Sequence, residues 1–266
     1  MRKKDIAIQI EKITGDIFGT VADVFLFQTF LVYTIAGKHT HYEIDKAFLN
    51  AQALLSEINH KTISQSLSTL IRKKLIKRMT KEGRMEIAIT EEGKRRIYER
   101  IPTYKTTRPW DGYLYLVSYD IPNKHNNARN KLRLYLRRIG CALLQESLWV
   151  TPYNPHEIVE EFVNLHEIPG TILVSKLAKD GSIGDEDTQT MIARVYQLEE
   201  LKNRYDAFIA HHTPSAHVSL SELAIDYYAL LRDDPQLPFK LEPPDFSGTK
   251  AYTCFQSCIH KANVLL

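Results

Sequence analysis

Leu116-Val117-Ser118-Tyr119 is an apolar run that closes on an acid, Asp120, and a turn and an arginine-rich helix follow. A carboxylate at a strand end is a place where a divalent metal can be held. Two such groups suit Mg²⁺, and the metal can activate water against a phosphodiester. The spacing supplies one acid only, since Asp111 lies at the opposite end of the stretch. Asp120 therefore reads as structural, capping the following helix or pairing with an arginine. A metal-dependent nuclease with Asp120 as its metal ligand is the alternative.

Other residues able to do chemistry are scattered. Cys254 and Cys258 are one helical turn apart, Cys141 stands alone, and an odd count of three is no disulfide framework. Idle thiols suit a reducing compartment, and a cytoplasmic protein is expected. His39 and His41 form an H-x-H, with His211, His212 and His217 further on, but no acid or thiol lies at ligand spacing. No cofactor is expected.

Charge separates the chain into parts. Residues 1–109 carry 20 Lys+Arg against 12 Asp+Glu, residues 110–176 carry 7 against 7, and residues 177–266 carry 8 against 13. A basic front and an acidic tail place any polyanion at the front. Arg2-Lys3-Lys4 ahead of the apolar run 24–37 resembles a signal peptide, but Asp16 and Asp23 intervene and the run is short of the roughly 20 residues of a spanning helix. It reads as a buried core helix, with no membrane partner.

The elements that must position a polyanion site follow from periodicity. A helix over about 20–37 stops at Gly37, a second runs from about Tyr42 to Leu55, and Asn59 offers an N-cap for a third. In the third, Ile63, Leu67, Leu70 and Ile71 fall on one face, with Lys61, Gln65, Ser68 and Arg72 opposite and Thr62 and Thr69 beside them. Amides, hydroxyls and cations are what a helix needs in a major groove. Strands 75–80 and 85–90 flank a turn at Gly83, and a helix follows, the order of a winged helix-turn-helix. Arg72, Lys73, Lys74, Lys77, Arg78, Lys81 and Arg84 face one acid, Glu82, over thirteen residues, as phosphate contacts require. Lys61, Thr62, Gln65, Ser68, Thr69 and Arg72 are the candidate groove residues, and Lys81 and Arg84 the candidate wing contacts, on double-stranded DNA.

The middle of the chain alternates as β-α-β-β-α-β, the ferredoxin-like order. A strand ends at Pro122, and a helix from about Asn126 to Ile139 buries Ala128, Leu132, Leu136 and Ile139. The same helix has an outward row of Arg129, Arg133 and Arg137. Two short strands, ALLQ and LWVTP, a helix at about 155–165 and a strand GTILVSK complete the unit.

LVSYDIPNKHNNARNKLRLYLRRIGCALLQESLWVTP resembles the small ferredoxin-like subunit of CRISPR adaptation complexes. Over the whole chain, WDGYLYLVSYDIP, LRRIGCALLQESLWVTP and LLRDDPQLPFKLEPPDFSG resemble the PaaX-like family, named for the repressor of phenylacetic-acid degradation. Its D-P-x-L-P matches Asp234 to Pro238 and its L-x-P-P-D matches Leu241 to Asp245; Phe246 and Ser247 depart from the usual Trp and Pro. The resemblance implies a winged helix, a ferredoxin-like dimerisation unit and a helical C-terminal region that responds to an acyl-CoA. In that last region a helix is expected over about 190–211, a second over 218–232 and a third over 249–262. Tyr196, Tyr205, Tyr227, Tyr228 and Arg232 are candidates for the effector pocket, and the acidic tail argues against CoA phosphates there.

The expected protein is α+β. Its domains are a winged helix over 1–100, a linker over 101–109, a ferredoxin-like unit over 110–178 and a helical effector region over 179–266. Its expected function is a homodimeric, non-enzymatic transcriptional repressor. The rivals are the Asp120 nuclease and an adaptor that uses the ferredoxin-like unit to hold a protein partner.

Overall fold

The computed structural model describes residues 10, 14, 18–36, 60–81, 84–177, 186–212 and 220–264. These form two compact units. The first takes its described residues from Met1–Tyr104, Asn203–Asp234 and Ser247–Leu266, and the second spans Lys105–Lys202 and Pro235–Phe246. The front of the chain and its last helices thus share one unit, a grouping that linear order hides.

In the first unit, helix α1 (Val21–Ala36) is apolar on nearly every side. Val24, Phe25, Leu26, Phe27, Phe30 and Leu31 are all buried. A helix without a polar face must be surrounded. It packs against α2 (His60–Arg72), strand β2 (Arg84–Ile89), α3 (Glu91–Tyr98), α8 (Leu220–Asp233) and α9 (Gly248–Val264). Its length agrees with the predicted core helix; Gly37, the helix predicted at 42–55, the Asn59 cap, His39 and His41 lie outside the described residues. The buried Asp23 takes Nε and Nη2 of Arg96 on one oxygen, and Nη1 of Arg100 and the Thr20 hydroxyl on the other. Two cations and a hydroxyl satisfy a carboxylate that water cannot reach.

Strand β1 (Ile76–Lys81) pairs antiparallel with β2, Ile76 opposite Ile89 and Lys81 opposite Arg84. Thr90 caps α3, accepting from Gly93 N, and donates its own proton to Lys74 O at 2.7 Å. Gly93 is obligatory here for space, because a Cβ would stand 2.2 Å from Leu75 O.

The second unit holds a four-stranded antiparallel sheet in the order β4-β5-β3-β6: β3 is Leu114–Asp120, β4 Ala142–Gln145, β5 Leu148–Thr151 and β6 Thr171–Leu177. Helices α4 (Asn126–Arg138) and α5 (His156–Leu165) cover one face. Val117, Tyr119, Leu132, Leu136, Trp149 and Val159 make the core there. The ferredoxin-like order read from the sequence is the order found. Gly140 ends α4 at φ +86, and Gly170 precedes β6 at φ +102.

The helix expected over 190–211 is two helices, α6 (Thr188–Val195) and α7 (Leu198–His211). Gln197 lies between them at φ +53. Tyr196 OH donates to the carbonyls of Gly140 and Val150, which holds the break against the sheet. Periodicity alone carried across it because Ile192, Leu198 and Leu201 stay buried on both sides. Among the described residues no helix is long and apolar enough to cross a membrane.

Candidate nucleic-acid interface

Leu70 of α2 is buried, while Gln65, Ser68 and Arg72 are exposed and Thr62 and Thr69 are half-buried. The two stripes differ by about one residue in rotation, so α2 has a polar face and a flank. Ser66 and Thr69 donate back to the carbonyls of Thr62 and Gln65, both at 2.8 Å, and Ser68 to Ser64 O at 3.0 Å. Those three hydroxyls keep acceptor lone pairs only, and among the described groove candidates the Gln65 amide and the Arg72 guanidinium are exposed donors. The side chains of Lys61, Lys81 and Arg84 lie outside the described set; the backbone puts Lys81 and Arg84 opposite each other at the turn end of the hairpin.

Helix α2 passes into β1 through a tight reversal. Leu75 N returns to Leu70 O at 3.0 Å and Lys74 N to Ile71 O at 2.9 Å, with Lys74 at φ +56. This is the hydrogen-bond pattern of a helix end that normally carries glycine. Arg72, Lys73, Lys74, Lys77 and Arg78, all exposed, follow one another through the reversal from the end of α2 into β1. Their joint position depends on that turn, and the arrangement suits phosphate oxygens flanking a groove.

A cleft of about 440 Å³ flanks the same helix. Thr62, Gln65 and Thr69 line it together with Lys73 and Arg96. Of the residues predicted to face a groove, these three therefore also border a recess of the protein, whereas Ser68 and Arg72 do not.

In the second unit, two members of the arginine row of α4 are tied to the fold, and Arg137 is exposed. Arg129 donates to Ile121 O and Asn123 Oδ1, and Arg133 to Tyr119 OH at 2.8 Å and Glu146 O at 3.1 Å. Arg137 lies 5.9 Å from the Trp149 ring. Short strands leave carbonyls at their ends, and the long guanidinium arms satisfy them. Asp120 is exposed at the end of β3, opposite Thr171. Asp111, the other acid of the stretch, takes the Tyr115 hydroxyl, and this bond holds its carboxyl below the usual range. No group of three or more His, Cys, Asp or Glu able to hold a metal occurs among the described residues.

The five effector candidates are divided between the two units. Tyr196 belongs to the second unit, and its hydroxyl is raised out of the ordinary tyrosine range by burial. In the first unit Tyr205 is buried with its hydroxyl on Asp234 at 2.8 Å, and Tyr227 stacks on Phe255 at 4.2 Å. Tyr228 meets the same Phe255 edge-on, and Arg232 is exposed and paired with Asp233. Tyr205, Tyr227 and Tyr228 are core aromatics of the helical layer.

Composition also hid a joint. Arg108, in the segment read as a linker, is buried and donates to Leu237 O at 2.9 Å and to Glu242. Its guanidinium also lies 4.4 Å over the Phe239 ring, and Gln236 Oε1 takes Lys105 N at 2.7 Å. The D-P-x-L-P and L-x-P-P-D segments thus seat the chain on the start of the second unit. The sequence signal was available: an extended, proline-rich segment with Gln and Glu inside needs donors from elsewhere.

Family models match two stretches of the chain: the PaaX protein central Cas2-like domain over residues 107–192 and the PaaX-like protein C-terminal domain over 196–264. Together they cover more than half of it. The chain belongs to the PaaX-like family. The Cas2-like match takes in the whole β3–β6 sheet with α4 and α5, and the C-terminal match runs from α7 to the end of α9. Among solved structures, the chain is similar to an uncharacterized protein from Mycobacterium tuberculosis, at 13% identity and a TM-score of 0.49, over 78% of this chain and 85% of that one. No curated protein matches it.

Proposed function

We propose that this PaaX-like protein is a transcriptional regulator, a repressor that binds operator DNA as a homodimer in the cytoplasm. The carrying observation is the set of five exposed cations, Arg72 to Arg78, that follows the amide and hydroxyl face of α2 in the chain. The α2–hairpin–α3 order supports a winged helix. On that reading α2 enters the major groove, with Lys61, Gln65, Ser68 and Arg72 toward base edges and phosphates. Thr62 and Thr69 lie at the groove's margin, and the hairpin turn at Lys81 and Arg84 reaches the flanking backbone. The Cas2-like unit serves as the dimerisation platform, and two copies then read two half-sites. The same unit carries the second reading, a Mg²⁺-dependent nuclease, through the exposed strand-end carboxylate of Asp120.

The deciding experiment is a gel shift on the chain's own upstream DNA and on a scrambled duplex, at two salt concentrations, with and without Mg²⁺. Preference for the upstream duplex, left intact, is the expected result. Mg²⁺-dependent cutting that disappears in Asp120→Asn would replace the regulator by the nuclease. Absence of DNA affinity at physiological salt would leave the adaptor reading.

A further inference from the structure

The cleft beside α2 has an apolar wall under a polar rim. Ile10, Val21, Leu70 and Leu75 form its wall, and all four are buried. Its volume of about 440 Å³ suits a small organic molecule. The rim carries Lys73, which is exposed, and Arg96, and no acid is among its described lining residues.

Among the described residues, cations at this rim outnumber acids. Asp23 is the carboxylate that Arg96 uses, and it is shared with Arg100 and Thr20. One negative charge therefore faces two guanidinium groups, and Lys73 adds a third cation. Ser66 and Thr69 have turned their protons into the helix, and Lys73, Arg96, the Gln65 amide and the Thr62 hydroxyl are the side-chain donors left among the described lining residues. An apolar wall under a cationic, donor-rich rim matches a molecule with an apolar body and an anionic end.

We propose that the cleft binds a small amphipathic carboxylate, its body against Val21, Leu70 and Leu75 and its carboxylate toward Lys73 and Arg96. The occupant touches Gln65 and Thr69, the side chains that the proposed function puts at the DNA. Ligand and operator then compete for one helix; this second half rests on the DNA-binding reading. Binding that engages the free protein and not the DNA-bound one shifts the equilibrium toward release.

Octanoate is the probe, with octan-1-ol as its uncharged counterpart, titrated calorimetrically into the full-length protein. Octanoate is expected to bind saturably and octanol about tenfold more weakly, the worth of a charge-assisted contact. Lys73→Met removes the charge, and Ala22→Phe fills the cleft from α1; each is expected to weaken octanoate about tenfold or more. Lys73→Met leaves the wall untouched, so it decides the matter if Ala22→Phe does not fold. Equal binding of octanoate and octanol, unchanged binding in Lys73→Met, or no saturable binding to the natural protein overturns the site. In gel shifts, octanoate is expected to displace DNA from the natural protein and much less from Lys73→Met. Retention of DNA at saturating octanoate overturns the competition. Failure of all duplex binding, with octanoate still sensitive to Lys73, brings down the DNA-binding reading and leaves the cleft standing.

Discussion

Arg108 and Glu242 form a buried ion pair, their side chains 1% and 9% exposed, that joins the start of the Cas2-like unit to the L-x-P-P-D segment. Removing one partner strands the other charge away from water. Arg108→Met is expected to cost about 3 kcal/mol, and the double change with Glu242→Met clearly less, because no charge is then left unpaired. Urea unfolding of both single variants and the double variant checks this, and a fully additive cycle would argue against the pairing.

The proposed DNA binding implies two kinds of side chain. Gln65→Ala is expected to relax sequence preference, with a change of about 1–3 kcal/mol between the upstream and scrambled duplexes. Arg84→Ala should weaken both duplexes alike and lower the slope of log affinity against log salt by about one unit. A fluorescence titration over several salt concentrations reads both, and an unchanged slope in Arg84→Ala removes the wing from the interface.

Lys74 occupies a left-handed backbone position, φ +56, at the end of α2. Lys74→Gly should raise stability by about 1 kcal/mol, since glycine has no Cβ to crowd there. A thermal melt shows the gain. If Lys74 meets phosphate, the same variant binds DNA more weakly although it folds better.

Gly170 carries two constraints. Its φ is +102, and a Cβ would stand 2.2 Å from Asp120 O. Gly170→Ala must push β3 and β6 apart at the end that holds Asp120, with an expected loss of at least about 2 kcal/mol. Chemical denaturation measures it, and a neutral substitution would mean that the turn before β6 has another conformation.

Cys141 is buried beneath the sheet, and burial pushes its thiol up from 9.0 to about 12, the Thr151 hydroxyl pulling slightly the other way. The unfolded chain releases this proton earlier than the folded one. Its contribution to stability is therefore complete below pH 9 and declines as pH rises toward 12. Cys141→Ala should flatten that alkaline decline. At pH 8, iodoacetamide should modify Cys254 and Cys258, which are half-buried, well before Cys141. Peptide mass spectrometry of a time course distinguishes them.

The local elements were legible in the residues. Alternation and turn residues yielded the β-α-β-β-α-β order, and the continuous apolar face of 24–31 yielded a buried helix, because burial period and chain direction are local properties. The same periodicity ran α6 and α7 together: a break at one residue, Gln197, leaves the apolar spacing intact. Its polar face likewise made a row of Arg129 and Arg133, and only the fold supplied the carbonyls of Ile121 and Glu146 that occupy them.

What tertiary structure alone decided are the meetings of distant segments. Asp23 finds Arg96 and Arg100 more than seventy residues away, and Arg108 finds Glu242 across more than a hundred and thirty. The cleft exists because the start of α1 comes against the flank of α2. No spacing rule reaches so far. Such pairings are set by which apolar faces bury one another, and a buried charge then takes whatever partner that packing delivers.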